Sequence, residues 1–171
     1  MQFDRKYYDP EKHEIFKALS VKQPFADLLT RAVYRDEGGQ IYAERSIAIR
    51  SRKIAYRGDL LICSSRVPVV AGHISGVTCG FVELYDVKPI SEFTEQDWQD
   101  AGIPERKRAA CTGYGWMFRN PRRVVEMPIK GHLGVYDFIT LKGDLTEYPQ
   151  RLKIGDDGWK IIQGKLKPKK K

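Results

Sequence analysis

The sequence predicts an α+β fold: a small β barrel of about five or six strands with short helices at its ends. Two observations lead there. Short runs rich in β-branched and aromatic residues recur along the chain, separated by Gly and Pro turn signals at close spacing. Only two or three stretches carry helical periodicity, and each is short. The 171 residues, 42% of them hydrophobic, suffice for one domain with a real core. A domain over residues 16–141 is expected, with an N-terminal extension over 1–15 and a basic, partly disordered tail over 142–171.

The organising stretch is Arg45 to Ser64, RSIAIRSRKIAYRGDLLICS. Ile47 and Ile49 alternate with Ser46, Ala48 and Arg50, the period of a strand. Gly58 supplies a turn, and Leu60 to Cys63 reads as a strand buried on both faces. The expectation is an arginine-lined hairpin. Phe16 to Val21 is a first strand. Pro24, Phe25, Leu28, Leu29 and Ala32 space out an amphipathic helix ending near Tyr34. Val77 to Val87 reads as a long strand with Gly80 as a bulge. Thr94 with Asp97 three residues on marks a helix N-terminus, which Gly102 stops. Glu105 to Arg108 is a charged loop or helical turn, and Tyr114–Arg119, Arg123–Ile129 and Val135–Leu141 are further strands.

The net charge of +8 is concentrated. Residues 44–57 hold five Lys or Arg against Glu44, and residues 151–171 hold eight against Asp156 and Asp157, so the rest of the chain is slightly acidic. Concentrated positive charge suits a polyanion partner, whereas a Lys-rich tail on its own is ordinarily a solvated, disordered end. No apolar run approaches the roughly 20 residues of a membrane span. The first residues form no secretory signal, so a cytoplasmic protein with no membrane partner is expected. Cys63, Cys79 and Cys111 form no C-x-x-C pair, and His13, His73 and His132 fall at no ligand spacing. A metal, a disulfide and a cofactor are all disfavoured.

LSVKQPFADLL, IRSRKIAYRGDLLI and YGWMFRNPRRVVEMPIKGHLGVYDF together resemble the ASCH domain, the activating signal cointegrator homology domain of the PUA-like superfamily. The resemblance runs from about Ala18 to Phe138. It implies a five- or six-stranded barrel with a cleft for RNA, DNA or a modified nucleoside. The family's G-x-K-x-x-E-x-R signature, aligned backward from Tyr56-Arg57-Gly58, places its Arg on Arg50, its Lys on Arg45, its Glu on Ala48 and its Gly on Ala43. Tyr34 to Tyr42 then reads as an insertion. Some relatives hydrolyse acylated cytidine with the motif's Lys as nucleophile or base. An Arg guanidinium stays protonated and Ala48 has no chemistry, so that amidase mechanism is not expected here.

The candidate nucleic-acid-binding residues are Ser20, Lys22, Gln23, Arg45, Ser46, Arg50, Arg52, Trp116, Asn120 and Lys130. Lys22 precedes a helix start and suits a phosphate or carbonyl. Arg50 either donates a bidentate pair to a phosphate or base edge, or is held internally by Glu83 or Glu126. Trp116 either stacks a base or belongs to the core beside Phe118. Lys130 closes the cleft or forms a turn, and Arg122 and Arg123 add phosphate contacts. A non-catalytic RNA, DNA or nucleotide-binding module is the leading expectation. The alternatives are a hydrolase using Glu83 or Lys22 on modified nucleosides or RNA, and an adaptor that holds a peptide, its oligomeric state open.

Overall fold

The computed structural model describes residues 1–35, 38–150, 159–162 and 165–168. Its strands are β1 (Gln2–Phe3), β2 (His13–Val21), β3 (Ala32–Arg35), β4 (Ile41–Ala43), β5 (Ile47–Arg50), β6 (Gly58–Ser64), β7 (Thr78–Pro89), β8 (Tyr114–Val124), β9 (Val135–Leu141), β10 (Glu147–Tyr148), β11 (Trp159–Ile162) and β12 (Lys165–Pro168). Helices α1 (Phe25–Thr30), α2 (Glu95–Asp100) and α3 (Glu105–Arg108) are all short. The class is α+β, as the sequence predicts. Among the described residues no helix is long and apolar enough to cross a membrane.

The chain divides into two compact units, Met1–Thr30 with Asp59–Val82 and Arg122–Gln150, and Arg31–Gly58 with Glu83–Pro121 and Arg151–Lys171. In sequence the units interleave, so the expected single domain over 16–141 contains parts of both. The main sheet runs β1-β9-β2-β6-β7-β8-β10, with β5 added to β8. Among the described residues this path does not close on itself, which leaves an open sheet where a small barrel was expected.

The first unit is built on β2, whose His13–Leu19 pair antiparallel with β9 and whose Ala18–Val21 pair in parallel with Leu61–Ser64 of β6. A strand flanked on both sides, with both faces covered, must be apolar throughout. Leu60 to Cys63 meet that demand and are fully buried. Ala18, Leu61, Cys63, Phe81, Val124, Ile129 and Phe138 form the core. The N-terminal extension is part of this sheet, since Gln2 and Phe3 pair with Thr140 and Ile139.

Gly80 is required by close approach: a Cβ there would lie 2.2 Å from the Arg122 carbonyl oxygen and 3.1 Å from Thr30 Cβ. We expect Gly80→Ala to destabilise the protein by about 1–3 kcal/mol or more, because a backbone carbonyl cannot swing aside as a side chain can. Urea unfolding checks this, and a loss under half a kcal/mol would contradict it.

The second unit carries the β5–β8 ladder and α2. Thr94 Oγ1 accepts from the Asp97 amide and Asp97 Oδ2 accepts from the Thr94 amide, the reciprocal cap read from the sequence. Gly102 follows at φ 69°.

Three of the expected elements differ in the structure. β5 and β6 are not a hairpin: β5 pairs with Tyr114–Met117 of β8, whereas β6 lies between β2 and β7. Helix α1 ends at Thr30, whose hydroxyl bonds back to the Ala26 carbonyl, and Ala32 onward pairs with β4. The two strands expected over 114–129 are one, ending at Val124, with Asn120 at φ 53° inside it. In the basic tail, β11 and β12 pair antiparallel, while residues 151–158, 163–164 and 169–171 of the expected disordered segment lie outside the described residues.

Candidate functional site

Arg45, Ser46, Arg50, Arg52, Trp116 and Asn120 belong to the second unit, and Ser20, Lys22, Gln23 and Lys130 to the first.

In the second unit the antiparallel register sets Ala48 opposite Trp116 and Arg50 opposite Tyr114. Directly opposed residues share a face, so Ser46, Ala48 and Arg50 lie on the face of Tyr114, Trp116 and Phe118. Ser46 is only 5% exposed, its amide donating to the Asp100 carbonyl and its carbonyl accepting from the Phe118 amide. It belongs to the wall of the unit, not to an open cleft. Arg45 is half-buried against Gly102, where a Cβ would come within 2.2 Å of Nε. Burial lowers its pKa against the opposing pull of Glu44, yet a guanidinium stays charged at any working pH.

Arg50 is the informative residue. It is half-buried, its Cζ stands 5.7 Å from the Trp116 ring centroid, and burial pushes its pKa down. Glu83, one of its two expected carboxylate partners, is bonded to Arg119 at 2.9 Å. Among the described residues no carboxylate reaches the Arg50 guanidinium.

Trp116 is buried, 5% exposed, so it is no open stacking platform; core is the reading that holds. Its indole Nε1 instead donates to the Arg52 carbonyl at 2.9 Å, fastening the basic loop 51–57 to the ladder. The Arg57 Nη1 donates to the carbonyls of Ile54 and Tyr56, at 2.7 and 2.9 Å, which closes the loop on itself. Gly113, at φ 101°, makes room at the other side, since a Cβ there would lie 2.3 Å from the Arg50 carbonyl oxygen. Arg52 and Lys53 stand exposed on this fastened loop. No Asp or Glu occurs between Arg45 and Gly58. Asn120, half-buried, holds its left-handed backbone before Pro121, away from the β5 ladder in register.

In the first unit Ser20 Oγ and Tyr136 Oη share a hydrogen bond of 3.0 Å. Gly131 packs over that hydroxyl, and the His132 ring meets Tyr136 edge-on at 5.1 Å. Burial pushes the Tyr136 phenol well above its ordinary value, and it pushes the Cys63 thiol up to about 12 and the Cys79 thiol to about 11. All three stay protonated near neutral pH, so none is poised as a nucleophile or base. Lys22 is exposed. Gln23 is buried, with Nε2 donating to the Ile74 carbonyl and Oε1 accepting from the Asp27 amide, so it braces α1. Lys130 is fixed by its backbone, which exchanges two hydrogen bonds with the Gln2 amide, and its side chain is exposed.

Arg122 and Arg123 do not supply spare positive charge. Arg122 pairs with Asp59 and Glu147, and Arg123 with the buried Asp27. Tyr136 and His132 around Ser20, and Lys53 on the basic loop, were not among the sequence candidates. Tyr136 sits in a regular alternation with Phe138 and reads as core, whereas Lys53 was visible in the charge cluster itself.

Among the described residues the basic loop offers cationic donors, and Cys63, Cys79 and Tyr136 stay protonated. No family model matches the chain, and no curated protein matches it.

Proposed function

We propose that this chain is a non-catalytic, ASCH-type module of the PUA-like class that binds nucleic acid, RNA foremost, through Arg50 and the loop 51–57. The observation that carries the reading is Arg50: a half-buried guanidinium whose only described partner is an aromatic ring. Taking a cation partly out of water costs free energy that an internal carboxylate would ordinarily offset. Here that role falls to an anion from outside, and a phosphate fits the guanidinium fork. Exposed Arg52 and Lys53 on the same fastened loop extend the cationic surface along a backbone of phosphates. Cys63, Cys79 and Cys111 are free thiols, which suits the reducing, cytoplasmic setting this reading carries.

The test is a titration of labelled single-stranded RNA, single-stranded DNA and free nucleotide at several salt concentrations. Affinity should fall steeply with salt. Arg52→Ala and Lys53→Ala should each weaken binding to every sequence and reduce the magnitude of the salt slope by about one. Arg50→Ala should cost more than either. Absence of binding to all three ligands at low salt overturns the proposal.

A further inference from the structure

The segment Lys130-Gly131-His132-Leu133-Gly134 is tied down at its root and bare at its tip. At the root, the Ile129 amide donates to the Gly76 carbonyl and the Lys130 backbone is held twice by the Gln2 amide. Gly131 sits so close over Ser20 that a methyl would come within 2.7 Å of its hydroxyl, and His132 rests against Tyr136. From this base Leu133 stands 99% exposed, with Gly134 at φ 68° turning the chain back. A leucine on a slack loop can fold onto the nearest apolar surface; one on a clamped loop stays in water.

The neighbouring loop, whose Gly76 accepts the Ile129 amide, is built alike. Gln23 and Ser64 both donate to the Ile74 carbonyl, and Ser75 donates to that of Pro68. It holds Val67 and Val69 exposed beside an exposed Arg66. From Leu60 to Val82 and from Met127 to Tyr136 there is no Asp or Glu.

Charge and side-chain type together select the occupant. Arg66 and Lys130, each in a stretch with no Asp or Glu of its own, favour a polyanion. Protein hot spots favour Trp, Tyr and Arg over Leu and Val, and membrane interfaces favour aromatic anchors; neither loop tip carries Trp, Tyr or Phe. Aliphatic residues flanked by cations are what wedges into a base stack use. We propose, resting on the nucleic-acid reading above, that Leu133 inserts at a base step of a double-stranded nucleic acid while Lys130 and Arg66 take the flanking phosphates.

The experiment uses DNA and RNA hairpins of matched sequence, each with a 2-aminopurine in the stem. Wild-type protein should raise the 2-aminopurine fluorescence of at least one hairpin, and the arm that responds identifies the duplex. Leu133→Ala should abolish the rise yet keep salt-dependent binding and the same thermal melt. Lys130→Ala should reduce the magnitude of the salt slope by about one. A rise that Leu133→Ala leaves intact overturns the wedge. Binding of single strands but no duplex also overturns it and leaves the broader reading standing, whereas failure to bind any strand overturns both. Leu133-dependent binding to anionic vesicles in place of duplex would assign the loop to a lipid surface, against the proposal.

Discussion

Arg123→Ala is expected to lower the unfolding free energy by about 3–5 kcal/mol, because it takes a charged, hydrogen-bonding partner away from a buried carboxylate. Asp27 is 3% and Arg123 7% exposed at the side chain. Asp27 Oδ1 accepts from Arg123 Nη1 at 2.7 Å, and Asp27 Oδ2 faces His73 Nδ1 at the same distance. Arg123 also donates to the Thr30 hydroxyl and to Tyr148. Burial opposes the Arg123 charge, and the bonds to Tyr148 and Asp27 outweigh it, raising its pKa. A domain's whole stability is about 5–15 kcal/mol, so this loss takes a large share of it. Asp27→Leu combined with Arg123→Met should be milder than Arg123→Ala alone, since an apolar pair leaves no charge uncompensated. Urea unfolding of the three variants decides it. A well-folded Arg123→Ala protein with impaired nucleic-acid binding would instead restore this residue to the phosphate-contact role expected from sequence.

That prediction also marks where sequence reading stops. Arg50 and Arg123 look alike in the chain, each a basic residue in an apolar, strand-like run. What separates them is a carboxylate from Asp27, 96 residues away, that reaches one and not the other. Local signals fared well because their physics is local. The Thr94–Asp97 cap closes within four residues, and Val135–Leu141 reads as a strand from its own composition. Strand partners are another matter. Ile47–Arg50 lies near Gly58–Ser64 in sequence, yet it pairs with Tyr114–Met117. A seven-residue connection imposes no register of its own, so packing decides. In the same way the helical spacing of Leu28, Leu29 and Ala32 is real but overruled, since the β4 partner captures Ala32 onward. Gln2 and Phe3 carry no local strand signal and are ordered by β9.

Trp116 shows how a core residue can still govern the candidate site, and substitutions there separate the two roles. Trp116→Ala removes a buried aromatic and should cost about 3–5 kcal/mol of stability. Trp116→Phe keeps most of the packing but deprives the Arg52 carbonyl of its donor, a loss of about 1 kcal/mol. Its effect on binding should be distinctive. All the cations of the loop remain, so the dependence of affinity on salt should stay at the wild-type slope. Affinity itself should drop, because Arg52 and Lys53 must then be ordered at the moment of binding, a cost the indole hydrogen bond otherwise meets in advance. Arg52→Ala does the reverse: it changes the slope and leaves the fastening carbonyl in place. Parallel titrations of the two variants read the difference directly. Were Trp116→Phe to bind as tightly as wild type, the loop would need no fastening, and the link from the β5–β8 ladder to recognition would fail.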